Sequence, residues 1–196
     1  MRPALSNEHL ADLRKSGLTD ETIEQARVYS VPAHLMAQKL GRVAKKIKSA
    51  LAFPYRDGFE RYKLFPALKT LTGHTLKYFQ PRGSGVHLYI PPWIYSSLSG
   101  SKAPLYITEG EKKALRAAQE GLCCVAIAGL WNWKRKGEKG AISDIKELPL
   151  AGRQVLIVPD SDTALRFQLF LAVCRFAVEL EKLKALVEII QLPAYE

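Results

Sequence analysis

PLYITEGEKKALRAAQEGLCCVAIAG, residues 104–129, and QVLIVPDSD, residues 154–162, decide how this chain folds. PLYIT reads as a buried strand, and Gly110 to Gly121 carries Ala114, Leu115 and Ala118 at helical spacing. CCVAIAG is a second apolar strand and QVLIVPDSD a third. Thr163 to Lys184 reads as a long amphipathic helix, and LVEIIQL closes as a fourth strand. Strands alternating with helices imply right-handed βαβ units, so the expectation is an α/β fold with a mainly parallel sheet flanked by helices.

Upstream the texture changes twice. From residue 49 to 98, ALAFPY, ERYKLFPAL, TLKYFQP and VHLYIPP are short runs rich in β-branched and aromatic residues, separated by Asp57-Gly58, Gly73 and Gly83-Ser84-Gly85. They predict a small β-rich subdomain. Its polar positions are mostly basic: Arg56, Arg61, Lys63, Lys69, Lys77 and Arg82 interleave with Tyr55, Tyr62, Tyr78 and Phe79. Such a mixture suits a groove in which charge tracks phosphates and rings stack on bases, and it equally suits a solvated sheet face. Residues 1–48 read as short helices. Ser6 caps the first, Gly17 stops it, Thr19 or Asp20 caps the second, and Pro32 opens a third ending near Gly41. This module is either a packing cap or a nucleic-acid clamp. SLSGSKAP is read as a linker, which leaves residues 103–196 as the α/β domain and makes the chain α+β overall.

The 196 residues are 47% hydrophobic and 24% charged, as in an ordinary soluble globular protein. No apolar run reaches the roughly 18 residues of a membrane span, and the polar start MRPALSNEHLADLRK is no secretory signal. The expectation is a cytoplasmic protein without a membrane partner. Cys123, Cys124 and Cys174 form no CxxC pair, so a structural zinc site has no framework and the thiols read as reduced. A formal net charge of +10 points toward a polyanionic partner, because each Lys or Arg that neutralises a phosphate releases a condensed counterion.

In a parallel sheet, ligands bind at the carboxyl ends of the strands. Glu109 stands directly after LYIT, and Asp160 and Asp162 directly after VLIVP. Carboxylates on two such ends suit one or two magnesium ions, which can stabilise the attacking and leaving oxygens of a phosphoryl displacement. Asp162, before a helix, is alternatively an N-cap.

LYITEGEKKALRAA, AIAGLWNW and VLIVPDSD together resemble the Toprim domain of primases, topoisomerases and related nucleases, most closely the Toprim-like domain of plasmid and phage primases and primase–helicases. KYFQPRGSGVHLYIPP resembles the basic segment ahead of that core in bacterial-type primases. The resemblance covers roughly residue 50 to the C-terminus. It implies that Glu109 is a general base or metal-supporting acid, that Asp160 and Asp162 bind Mg2+ or Mn2+, and that Gly110 permits close backbone approach. Lys77 by its Lys-Tyr match, Arg82 and Lys63 would contact template or nucleotide phosphate. Trp131 and Trp133, followed by Lys134 and Arg135, either stack on a strand or belong to the core.

The chain also departs from the family. Many Toprim proteins carry a third acid where this chain has Ala164, which puts a second metal in doubt, and helix geometry is expected to turn the extra acid Glu111 outward. There is no zinc-binding module and no G-x-x-x-x-G-K-[ST] loop, so a helicase or polymerase would have to act in trans. The leading expectation is a primase-like nucleotidyl transferase making short primers on single-stranded DNA from nucleotides. The alternatives are a Toprim nuclease and a catalytically silent single-strand-binding replication accessory.

Overall fold

Two side-chain caps start the chain. The Ser6 hydroxyl accepts from the His9 N–H at 3.4 Å and the Thr19 hydroxyl from the Thr22 N–H at 3.2 Å. The structure, a computed structural model, describes residues 4–40, 46–69, 73–81, 83–100 and 103–193. These caps begin α1 (Asn7–Lys15) and α2 (Asp20–Gln25), and α3 spans Ala33–Leu40. Gly17, at a φ of 76°, turns the chain out of α1. The sequence suggested short helices throughout the first forty residues, but they are not all helical. Tyr29–Pro32 forms strand β1, and Pro32 ends it rather than opening a helix alone. A strand this short carries no readable period; it exists because β2 (Ser49–Pro54) pairs with it antiparallel, Val31 opposite Ala50.

The chain divides into two compact units, Met1–Gly85 and Val86–Glu196. In the first, β3 (Glu60–Lys69) and β4 (Thr75–Phe79) complete an antiparallel sheet in the order β1-β2-β3-β4. Its core gathers Val31, Met36, Ile47, Ala50, Ala52, Tyr62, Leu64 and Leu68. Fully buried beside it, His9 joins α1 to the sheet through Ser30 Oγ at 2.7 Å and Ser49 Oγ at 3.0 Å. Desolvation holds the His9 pKa below the ordinary histidine value.

The second unit is the expected α/β fold, a mixed sheet with parallel strands flanked by helices. Strands β5 (Leu88–Tyr89), β6 (Leu105–Glu109), β7 (Cys124–Ile127), β8 (Gln154–Val158) and β9 (Leu186–Ile189) lie in the order β5-β7-β6-β8-β9. All neighbours are parallel except β5, which runs antiparallel to β7. Leu88–Tyr89 therefore leaves the basic sheet, to which the sequence reading assigned it, and joins this one, where the Asp144 carboxylate accepts from the Leu88 N–H at 2.9 Å. Residues 97–100 of the expected linker belong to helix α4 (Tyr95–Gly100).

Leu105, Ile107, Val125, Ile127, Val155 and Ile157 take alternate positions on β6, β7 and β8, and all join one core cluster. Helix α5 (Glu111–Gln119) follows β6. The short α6 (Ser143–Lys146) precedes β8, and α7 (Phe167–Lys182) brings Ala172, Val173, Phe176 and Leu180 to the same cluster. The sequence led to one helix from Thr163; Ser161–Leu165 is instead a separate 3-10 turn, and α7 begins after it.

At the amino ends of three strands the buried Arg153 donates from Nε to the Ala103 carbonyl at 2.9 Å, from Nη1 to the Leu98 carbonyl at 3.0 Å and from Nη2 to Cys123 Sγ at 3.4 Å. Cys123 and Cys124 are buried free thiols, and burial pushes the Cys124 pKa up to about 12. Among the described residues no helix is long and apolar enough to cross a membrane.

Candidate functional site

Strand order brings two of the three predicted acids together. β6 and β8 are adjacent and parallel with Thr108 opposite Val158, so Glu109, the last residue of β6, and Asp160, two residues past β8, leave the sheet at the same edge. The Asp160 N–H donates to Glu109 Oε1 at 3.5 Å. Gly110 then turns β6 into α5 at a φ of 82°, a conformation that L side chains rarely adopt, while its N–H reaches the Ile127 carbonyl at 2.9 Å. Asp160 precedes the 3-10 turn that carries Asp162, and its carbonyl accepts from the Thr163 N–H at 3.0 Å.

Charge at this edge is arranged in pairs. Burial raises the Glu109 pKa above the usual carboxylate range, and the negative Asp160 adds to the rise. The Asp160 N–H, Lys113 and a backbone hydrogen bond at Leu130 oppose it. Lys113 forms an ion pair with Asp160, and Arg166 lies 3.3 Å from Asp162. Both aspartates thus have a basic partner, and Asp160 in addition meets Glu109 through its N–H.

Magnesium commonly takes one or two carboxylates and completes its shell with phosphate and water oxygens. Glu109 and Asp160 offer that donor set. The turn beside them holds the buried Thr163 hydroxyl, which has no hydrogen-bond partner. Among the described residues no three His, Cys, Asp or Glu side chains gather closely enough to form a protein-only cage. The residues fit an ion shared with a substrate phosphate, not one held by protein alone.

The predicted strand-binding residues separate into several environments. Lys77 is exposed on β4. Lys63, on β3, is largely covered and pairs with Asp12 of α1 at 2.5 Å, so its charge is committed inside the first unit. Arg82 lies outside the described residues. Trp131 is 39% exposed, with the Arg175 guanidinium 6.0 Å from its ring, whereas Trp133 is 5% exposed and stacks on Phe176 at 5.6 Å and 16°. One tryptophan is a surface ring and the other is core. Lys134 sits over the Trp133 ring at 5.2 Å, and Arg135 faces Glu138 at 3.8 Å.

Glu111 does not turn outward. It is 1% exposed; burial raises the pKa of the Tyr89 hydroxyl well above the ordinary tyrosine value, and Glu111 adds to the rise. The spacing held the signal: Glu111, Ala114, Leu115 and Ala118 fall on one helical stripe, and all four are buried. Lys113, the ion-pair partner of Asp160, was also missed, because its role depends on β8 lying next to β6.

A family model described as a domain of unknown function (DUF3854) matches residues 93–196. No curated protein matches the chain. Among solved structures, a DnaG catalytic core aligns with a TM-score of 0.62 at 18% identity, covering 98% of this chain and 66% of its own. The zinc-binding and RNA polymerase domains of the Aquifex aeolicus primase align at 0.62 and 14%, covering 96% and 50%. A DnaG primase catalytic domain bound to single-stranded DNA aligns at 0.61 and 20%, covering 97% and 65%. The chain has the fold of these primase cores and spans half to two thirds of their length.

Proposed function

The chain belongs to the DUF3854 family, and we propose that it is a primase-like nucleotidyl transferase with a Toprim-type site, joining nucleotides on a single-stranded DNA template. The observation that carries this reading is the convergence of Glu109 and Asp160 at the carboxyl edge of adjacent parallel strands, within a fold that aligns along nearly all of its length with primase cores. A Mg2+ or Mn2+ ion held by these two carboxylates would supply positive charge to phosphate oxygens.

The chain's own groups supply the rest. Glu109 stands at the strand end beside Asp160, and where it does not hold the ion it is the candidate to take a proton from an attacking hydroxyl; burial, then the negative Asp160, raise its pKa from the ordinary value. Gly110 presents no side chain at the strand end, and a Cβ built there meets nothing within 4 Å, which leaves room for a ligand. Lys77, Trp131, Lys134 and Arg135 are the proposed strand contacts, joined by Arg82. Lys63 and Trp133 are assigned to structure.

The test is incorporation of labelled nucleotides on single-stranded DNA with Mg2+ or Mn2+. Product from the wild type and none from Asp160→Ala or Glu109→Gln is the expected result. No wild-type product, or equal product from Asp160→Ala, refutes the proposal, and cleavage of the template without incorporation replaces it with a nuclease.

One observation favours a second reading: both aspartates already carry a basic partner, Lys113 on Asp160 and Arg166 on Asp162. A silent binding module would keep such pairs closed. Salt-sensitive single-strand binding, unchanged in Asp160→Ala and without turnover, identifies it.

A further inference from the structure

Helix N-termini favour anions, because unpaired N–H groups and the aligned peptide dipoles leave positive charge there. Helix α5 opens with Glu111 and then places Lys112 and Lys113 in its first turn, against that preference. Lys113 stays because Asp160 arrives from the neighbouring strand and pairs with its ammonium. Lys113 therefore occupies an oxygen of Asp160, one of the two carboxylates proposed to hold a divalent ion. Its side chain is about half exposed, so it can leave that place without breaking any core contact.

We propose that Lys113 is a resident cation of the carboxylate site, competing with a divalent ion for Asp160 and moving onto a substrate phosphate oxygen when the ion binds. The proposal rests on the reading that Glu109 and Asp160 hold such an ion. Lysine suits both positions: its ammonium is a compact point charge on a flexible stem and binds carboxylate and phosphate alike. With Lys113 present, phosphate and ion enter together, and the site resists filling by metal alone.

The test is Mn2+ binding, followed by the spectroscopic signal of free Mn2+, to the full chain and to Lys113→Ala and Asp160→Asn. Pyrophosphate binding is measured in the same proteins at saturating Mn2+, and circular dichroism checks that each variant folds. Removing a unit positive charge a few ångströms from a divalent ion is worth on the order of tenfold in a largely aqueous site. Lys113→Ala is expected to bind Mn2+ about tenfold more tightly and pyrophosphate several-fold more weakly. A merely structural lysine would not move the two affinities in opposite directions. If the wild type binds Mn2+ through Asp160 but Lys113→Ala leaves either affinity unchanged, or shifts both the same way, the proposal is overturned while the metal site stands. If Mn2+ binding is absent, or identical in Asp160→Asn, the metal site itself fails and the proposal fails with it.

Discussion

Trp133→Ala should destabilise the second unit by about 3–5 kcal/mol. At 5% exposure Trp133 is nearly all removed from water, and an indole of this kind buries on the order of 200 Å2. At about 25 cal/mol per Å2 that burial is worth about 5 kcal/mol as an upper bound. The stacked contact with Phe176 adds to the loss, and partial collapse of the cavity offsets some of it. Trp133→Phe is the informative control. The buried indole N–H has no hydrogen-bond partner, and such a group costs about 1–3 kcal/mol to desolvate. Phenylalanine keeps a ring against Phe176 and discards that donor, so its net effect should stay within about 1.5 kcal/mol. The assay is urea unfolding followed by far-ultraviolet circular dichroism, paired with single-strand binding by fluorescence anisotropy. If Trp133→Ala unfolds within about 1 kcal/mol of the wild type, the error of such an extrapolation, while Trp133→Phe loses strand affinity, then Trp133 is a stacking platform and its assignment to the core is refuted.

His9 predicts an acid-labile first unit. Its native pKa lies below the unfolded value of about 6.5, so the stability it supports is complete above that pH and is lost as pH falls through the lowered native value. Denaturation midpoints of the first unit should decline from pH 7 to pH 5 and flatten in His9→Asn; parallel curves for the two proteins would contradict this. Lys77→Ala should weaken single-strand binding evenly across sequences and reduce the slope of log K against log salt by roughly 0.7–1. Lys63→Ala should instead lower stability, because its charge is spent on the partly buried Asp12, and an unchanged melting curve would return Lys63 to the list of strand contacts.

The sequence announced the second unit more clearly than the first for a physical reason. LYIT, CVAI and VLIV are continuous apolar runs because β6, β7 and β8 lie inside the sheet, and such runs stand out wherever they occur. The acids were visible because they interrupt those runs abruptly. What stayed hidden was set by pairing between distant segments. Tyr29–Pro32 becomes a strand only beside Ser49–Pro54, and Leu88–Tyr89 changes sheet because β7 has an open edge to offer. Trp131 and Trp133 are two residues apart in one motif, and only the approach of Phe176 on α7 separates the surface ring from the buried one. Lys113 was silent for the same reason: nothing near it in sequence says that Asp160 will be its partner.

Arg153 sits at the opposite end of the same strands from the acids, and its acceptors are two carbonyls and a thiol, with no carboxylate among them. A clamp made this way has no carboxylate partner, and because it is buried, salt scarcely screens it. Protonation, metal binding or substitution at Glu109 and Asp160 can therefore redistribute charge at one edge of the sheet while the other edge keeps its spacing. The scaffold separates the chemistry it can vary from the frame it must keep, so charge changes among the site acids should alter ligand binding well before they alter the fold.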